Sequence, residues 1–221
     1  MSAPQAKPAG DGAAARRGRL WVIAAPSGAG KTSLVRALLE REPSLRFSIS
    51  YTTRPKRSSE VDGRDYFFVA EAEFLAMVGR EAFLEHARVF DNWYGTGREH
   101  VEGLLAGGHS VVLEIDWQGA RQVRERAPES RSIFILPPSV AELERRLRGR
   151  KTDSEAVILR RLKDALGDMA HWPEFDYVVV NDDFGAALER LAVVVAGAGE
   201  DARTDTPGVQ AAAAAIVAGR P

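Results

Sequence analysis

The residues with the clearest chemical potential lie near the start of the chain, in a loop that reads Ala25-Pro26-Ser27-Gly28-Ala29-Gly30-Lys31-Thr32. Its glycines let the backbone curl so that several N–H groups point at one anion. A helix that begins at the lysine adds the positive end of its dipole. Lys31 can reach the outer phosphates of a nucleotide, and the Thr32 hydroxyl can bind Mg²⁺. The loop therefore predicts a site for a nucleoside triphosphate with Mg²⁺.

One position departs from the usual pattern G-x-x-x-x-G-K-[ST], because Ala25 stands where the first glycine is expected. The turn can still form if the φ angle of Ala25 is negative. The alternative is a chance Gly-Lys-Thr on a surface loop. The apolar run Leu20–Ala24 before the loop and the helical spacing of Leu34 and Leu38 after it argue against chance.

A second cluster combines cations with phenols. Residues 52–57 include Arg54, Lys56 and Arg57, and Tyr66 and Tyr94 follow. Guanidinium groups bind phosphate through two parallel hydrogen bonds. An isolated basic run is also typical of a solvated turn, so alone it only suggests a second anionic ligand.

Two further groups of charged residues lie later in the chain. Glu114 and Asp116 end an apolar run at residues 110–116, and strand alternation places them on one side. One of them can hold Mg²⁺ through water. Arg145, Arg146, Arg148 and Arg150 precede Arg160 and Arg161 across a polar stretch; such a charge run is usually a solvated face.

Bulk composition excludes several classes of function. The 30 basic and 31 acidic residues nearly balance, which argues against a generic nucleic-acid binder. The chain has no cysteine, so it has no disulfide or thiolate metal site, and its four histidines are scattered. No apolar run approaches the ~20 residues of a membrane span. We therefore expect a cytoplasmic protein with no membrane or nucleic-acid partner.

Strand and helix patterns alternate along most of the chain, which predicts an α/β fold with a doubly wound parallel sheet. Strands are expected at 20–24, 47–50, 66–69, 83–90, 110–116, 133–136 and 177–180, with a turn at 92–95. We expect a core at 19–50 and 97–201, a mixed-strand insert at 51–96 and a mobile lid at 148–156. Residues 1–18 are expected to be a disordered leader. The Ala-rich tail at 202–221 is expected to form at most a marginal helix without partners.

The ordered set of these motifs resembles the guanylate kinases, which transfer the γ-phosphoryl group of ATP to GMP or dGMP in guanine nucleotide biosynthesis and recycling. The resemblance runs from about residue 19 to residue 198. The matching segments are 25–32, 52–57, 60–68, 83–85, 92–96, 114–119, 145–150 and 180–182. The resemblance implies a P-loop fold of the nucleoside monophosphate kinase type, with the insert as the GMP-binding region.

It also implies residue roles. In the family, residues equivalent to Ser50, Arg54, Arg57, Tyr66 and Tyr94 hold the GMP phosphate, and those equivalent to Glu85 and Thr96 read the base. A carboxylate suits guanine, whose pairing edge presents two adjacent donors, although Glu85 taken alone could be an ordinary strand residue. Either Glu114 or Asp116 would serve the metal and the other guanine. Pro55, Ser58 and Ser59 depart from the pattern Arg-x-Pro-Arg-x-Gly that family members often have in the basic loop, but Arg54 and Arg57 keep their spacing.

The remaining implied roles belong to the ATP side. Arg146, Arg150 and Arg161 would converge on the transferring phosphoryl group with Lys31 and Arg54, and Asn181 and Asp182 would lie near adenine. Two alternatives stay open. One is a non-catalytic protein-binding module of the same fold, and the other is a kinase for another phosphorylated acceptor such as ribose bisphosphate. The sequence leaves the oligomeric state open.

Overall fold

The computed structural model describes residues 17–89, 91–149 and 154–219. The strands are β1 (Leu20–Ala24), β2 (Leu45–Phe47), β3 (Tyr51–Thr52), β4 (Phe67–Phe68), β5 (Phe83–Val89), β6 (Asn92–Gly97), β7 (Ser110–Glu114), β8 (Arg131–Leu136) and β9 (Tyr177–Val180). The helices are α1 (Lys31–Arg41), α2 (Glu71–Gly79), α3 (Arg98–Ala106), α4 (Trp117–Arg126), α5 (Val140–Arg148), α6 (Glu155–Met169), α7 (Phe184–Val195) and α8 (Pro207–Val217).

The larger sheet is parallel and has the strand order β2-β7-β1-β8-β9. Its central strand β1 is buried over its whole length, as expected for a strand covered on both faces. Because all five strands run the same way, the loops that follow β1, β7 and β9 meet at one edge of the sheet. The predicted α/β fold is confirmed.

Helices cover both faces of this sheet. Leu20 and Val22 alternate with Trp21 and Ile23 along β1 and enter two separate apolar clusters. One cluster contains residues of α1 and α7, and the other contains residues of α3, α4, α5, α6 and α8. Alternation along one strand therefore builds a core on each face, which is the doubly wound arrangement.

The insert forms a second sheet of order β4-β3-β6-β5 with a small core of Phe74, Met77 and Phe83. Its β3–β4 pair is parallel and its other pairs are antiparallel, so the mixed-strand prediction is confirmed. The predicted turn at 92–95 is wrong. These residues belong to β6, because their backbone pairs with β3 on one side and β5 on the other.

Both chain ends of the described region are more ordered than expected. The prediction that the tail helix lacks partners is wrong: Ala213 and Ile216 of α8 are 1% and 8% exposed and join the core. Gly18 N donates to Leu105 O at 2.9 Å, although the sequence predicts that Gly18 belongs to a disordered leader. Arg17, which also belongs to that leader, forms an ion pair with Glu102. Residues 1–16 lie outside the described residues. Over the described ranges, no helix is long and apolar enough to cross a membrane.

Candidate active site

The loop between β1 and α1 has the backbone that the sequence predicts. Gly28 and Gly30 both adopt φ +93°, a left-handed conformation that glycine tolerates best. A Cβ atom on Gly30 would also lie 2.4 Å from Asn181 Nδ2. Ala25 is not among the described non-glycine residues with positive φ, so its expected negative φ is confirmed. The loop can therefore form despite the alanine.

Lys31, Thr32 and Glu114 meet at the carboxyl ends of β1 and β7. Thr32 Oγ1 donates to Glu114 Oε1 at 2.5 Å, and Lys31 Nζ lies 3.9 Å from the same oxygen. Lys31 also donates to Ile115 O at 3.0 Å. Burial lowers the pKa of Lys31, while the Glu114 and Asp116 carboxylates oppose that shift. With the loop, these side chains line a cavity of about 390 Å³, which suits phosphate groups.

Two side chains from later in the chain, Asn181 and Arg146, support the phosphate loop. Asn181 Nδ2 donates to Ala29 O at 2.7 Å, and Arg146 Nη2 donates to Asn181 O at 2.9 Å. Arg146 also donates to Glu142 at 2.8 Å. Arg145 and Arg146 hold the pKa of Glu142 at about 2. Arg146 Nη1 also donates to Ala29 O at 3.5 Å, so both Arg146 and Asn181 contact the loop itself.

In the insert, Arg54 is held in a fixed orientation. Its guanidinium makes two hydrogen bonds to Glu60, at 2.7 and 3.1 Å, and lies over the rings of Tyr66 and Phe68. Glu60 also accepts from the backbone N–H of Arg57 at 2.8 Å. Sequence reasoning missed this role of Glu60, although the residue lies only six positions from Arg54.

The other residues expected at the GMP phosphate lie around Arg54. Tyr66 and Tyr94 pack edge to face with ring centroids 6.1 Å apart. Glu60 raises the pKa of Arg54, and Tyr94 adds to that effect. Ser50 is half-buried just before β3, where its carbonyl accepts from Phe67 N. Arg57 is exposed, so its side chain is accessible to a ligand.

Glu85 is a buried carboxylate on β5, with 7% of its surface exposed. Its Oε1 accepts from Thr96 Oγ1 at 2.6 Å. A Cβ atom on Gly119 would lie 3.3 Å from Glu85 Oε2 and 3.4 Å from Asp116 Oδ1, so the two carboxylates converge above this glycine. Burial raises the pKa of Glu85; Thr96 opposes that rise and Asp116 adds to it. The carboxylate oxygens of Glu85 and Asp116 therefore suit a ligand that carries hydrogen-bond donors.

Asp116 also begins helix α4. Its Oδ1 accepts from Gly119 N at 2.7 Å, which caps the helix. Glu114, by contrast, contacts Thr32 and Lys31. The two acids therefore have different surroundings: Glu114 lies at the phosphate loop, and Asp116 lies near Glu85.

The lid region is partly described. Arg150 lies outside the described residues, and Arg161 lies half-buried on α6. Arg148 forms ion pairs with Glu144 and Glu155 and so links the end of α5 to the start of α6.

Asp182 lines a different cavity, of about 400 Å³, between α7 and α8. Among the described residues, no three His, Asp or Glu side chains group as a metal site.

Comparisons with known proteins all point to one family. The guanylate kinase family model matches residues 17–198. A guanylate kinase of Methylococcus capsulatus is 59% identical over 179 residues, which cover 81% of this chain and 88% of that protein. One from Salmonella typhi is 56% identical over 181 residues, covering 81% and 87% respectively.

A solved structure, the guanylate kinase from Anaplasma phagocytophilum, superposes with a TM-score of 0.65 at 35% identity. The match covers 84% of this chain and 88% of that one. The family match spans both sheets, with the phosphate loop, the basic loop of the insert and the Glu85 pocket. The chain belongs to the guanylate kinase family.

Proposed function

We propose that this chain transfers the γ-phosphoryl group of ATP to GMP, which yields ADP and GDP. The observation that carries the proposal is the buried Glu85 carboxylate, which Thr96 orients beside Asp116. The ring N–H and the exocyclic amine of guanine are adjacent donors that such acceptors match, whereas adenine presents an unprotonated nitrogen there. Asp116 therefore belongs to the guanine side.

The phosphate loop, residues 25–32, holds the phosphates of ATP in this proposal. Thr32 and Glu114 offer a hydroxyl and a carboxylate, the oxygen donors that Mg²⁺ prefers, and they lie within hydrogen-bond distance of each other. These residues would hold Mg²⁺, directly or through water, and the ion would supply charge neutralisation between the phosphates. We assign Asn181 and Asp182 to the adenine side from the family resemblance, although Asn181 bonds the phosphate loop at Ala29 and Asp182 lines the cavity between α7 and α8.

The acceptor phosphate is bound by Arg54, Arg57, Tyr66, Tyr94 and Ser50. One of its oxygens attacks the γ-phosphorus, and the bond from that phosphorus to the β–γ bridging oxygen breaks. Because the attacking oxygen is already anionic, no general base is required. Lys31, Arg146, Arg150 and Arg161 stabilise the negative charge of the transition state. A cytoplasmic location remains a prediction from the sequence.

The test is an ADP-release assay with GMP, dGMP, AMP, CMP and UMP as acceptors. We expect turnover with GMP and dGMP and little with the others. Lys31→Ala serves as the inactive control, because the loss of a preorganised charge at the transferring group costs about 3 kcal/mol or more. A folded wild-type chain without GMP-dependent ADP release would contradict the proposal and favour the protein-binding module. Release only with a phosphorylated sugar would favour the other kinase class.

A further inference from the structure

Strand β5, which carries Glu85, forms an edge of the insert sheet. Its partner β6 lies on one side only. The backbone groups of an edge strand that face away from the sheet need other partners. On β5 those groups include the C=O of Leu84 and both backbone groups of His86, the residues on either side of Glu85.

Two side chains of helix α4 occupy this edge. The Gln122 amide accepts from His86 N at 3.2 Å and donates to His86 O at 3.1 Å, so it pairs with the strand as a neighbouring peptide group would. Arg126 Nη1 donates to Leu84 O at 2.9 Å and to Gln122 Oε1 at 3.0 Å. We call these four hydrogen bonds the α4–β5 contact.

The contact lies on one face of α4. Gly119, Gln122 and Arg126 follow the i, i+3, i+7 spacing of a single helix face. Gly119 lies beneath the Glu85 carboxylate, and Asp116 caps the same helix. The helix that carries Asp116 therefore also holds the backbone of β5 immediately before and after Glu85.

We propose that Gln122, supported by Arg126, is a positioning residue for guanine recognition. It sets the place of Glu85 relative to Asp116, so that both carboxylates face the donors of one base. This inference rests on the proposed function of Glu85. Gln122 acts through the strand backbone, and its side chain need not touch the substrate.

The test uses the full-length chain and the variant Gln122→Met, which keeps the length of the side chain and removes both polar atoms. We expect the KM for GMP to rise about tenfold, which corresponds to about 1.4 kcal/mol. The KM for ATP and the kcat at saturating GMP should stay within about twofold of wild type, because the contact concerns only base binding. Gln210→Met, an exposed glutamine on α8, is the matched control.

A variant with part of the contact refines the test. Gln122→Glu keeps the acceptor for His86 N–H and for Arg126 but loses the donor to His86 C=O. Its second carboxylate oxygen faces the His86 carbonyl oxygen, so we expect the KM for GMP to rise here too, and this variant replaces Gln122→Met if the latter fails to fold. An equal rise in the KM for GMP and for ATP, or no change in either KM, would overturn the positioning role.

The double variant Gln122→Met, Glu85→Gln separates this inference from its premise. If Gln122 acts through Glu85, its substitution should add little once Glu85 is changed. Fully additive effects would overturn the inference and leave base reading by Glu85 intact. If Glu85→Gln alone leaves the preference for GMP over AMP unchanged, both the base-reading role and the positioning role are wrong.

Discussion

At the scale of single residues, the Glu85 site combines burial with a neutral hydrogen-bond partner. Its carboxylate is paired with a neutral hydroxyl, that of Thr96, and faces a second carboxylate across Gly119. A carboxylate accepts hydrogen bonds and donates none, so only a ligand with adjacent donors satisfies it. The choice between guanine and adenine can therefore be tested by replacing one carboxylate oxygen of Glu85 with an amide NH2 group.

Glu85→Gln should weaken the use of GMP and relax the discrimination against AMP. The new amide turns one acceptor into a donor that faces a guanine donor, at a cost of about 1–3 kcal/mol. The kcat/KM for GMP should fall by about fivefold to about 160-fold, while that for AMP falls less or rises. Both constants are measured for each monophosphate. An unchanged GMP-to-AMP ratio would show that another group reads the base.

The pH dependence of GMP use follows from the raised pKa of Glu85. Burial raises that pKa above its ordinary value of 4.5, and recognition of guanine requires the ionised form. As pH falls through the raised pKa, the kcat/KM for GMP should decrease, at a higher pH than an ordinary glutamate would allow. In Glu85→Gln this acid limb should be absent. An identical limb in both proteins would assign the titration to another group.

Residues adjacent in sequence were the easiest to predict. Lys31 and Thr32 are in one motif, and their helical context follows from local patterns. Glu60 and Gln122 could not be predicted, because their roles depend on partners that only the fold brings near: the fork of Arg54 and the backbone of His86. Such roles have no periodic signature, since a side chain that bonds a neighbouring backbone can be any amide or carboxylate.

At the scale of elements, the phosphate loop and the β9–α7 connection form one unit. Asn181, which follows β9, bonds the loop at Ala29 and occupies the space beside Gly30. The two glycines thus have different requirements. Both glycines have a left-handed backbone. A Cβ atom on Gly28 would press on the flexible side chains of Leu143 and Leu147, whereas one on Gly30 would collide with the Asn181 amide.

Gly30→Ala should impair ATP use more than it impairs folding. A left-handed φ costs an alanine about 1–2 kcal/mol, and the added Cβ would also force Asn181 from its bond to Ala29. We expect the KM for ATP to rise by about tenfold or more, and kcat to fall. Gly103→Ala in α3 is the control, since a Cβ there meets nothing within 4 Å. If Gly30→Ala shows normal kinetics, the loop tolerates the displacement of Asn181.

Elements of the core were predictable because their apolar runs are long and buried. β1, β8 and β9 all read as such runs, and their bounds differ little from those expected. β6 was not predictable as a strand. Asn92 and Gly95 are typical of turns, yet Gly95 is required in β6 because a Cβ there would press on Phe74 and Phe83.

At the scale of the whole molecule, the C-terminal helix closes one face of the core. Ile216 and Ala213 of α8 lie in the cluster that contains Leu20 and Val22 of β1. Helix propensity in an Ala-rich segment indicates a helix but not its partner, so the sequence does not predict that α8 docks on the core. The general architecture was predictable, since alternating strands and helices allow few arrangements.

Ile216→Ala should therefore destabilise the fold without changing the chemistry. Loss of a buried isoleucine side chain costs about 2 kcal/mol or more, which a denaturant titration measures as a lower free energy of unfolding. Steady-state constants at 25 °C should match wild type. Leu159→Ala on α6 is the control, because Leu159 is 52% exposed. Equal stability of the two variants would show that α8 contributes little to the core.

The buried Glu85 carboxylate implies a trade-off between folding stability and activity. A carboxyl group with a raised pKa binds its proton more tightly in the folded chain, so the ionised form at neutral pH disfavours folding. Stability from this group is present at low pH and is lost as pH rises through the raised pKa. Glu85→Gln should thus raise the melting temperature at pH 7 while it lowers GMP use. A lower melting temperature in that variant would mean that the bond to Thr96 outweighs the cost of the buried charge.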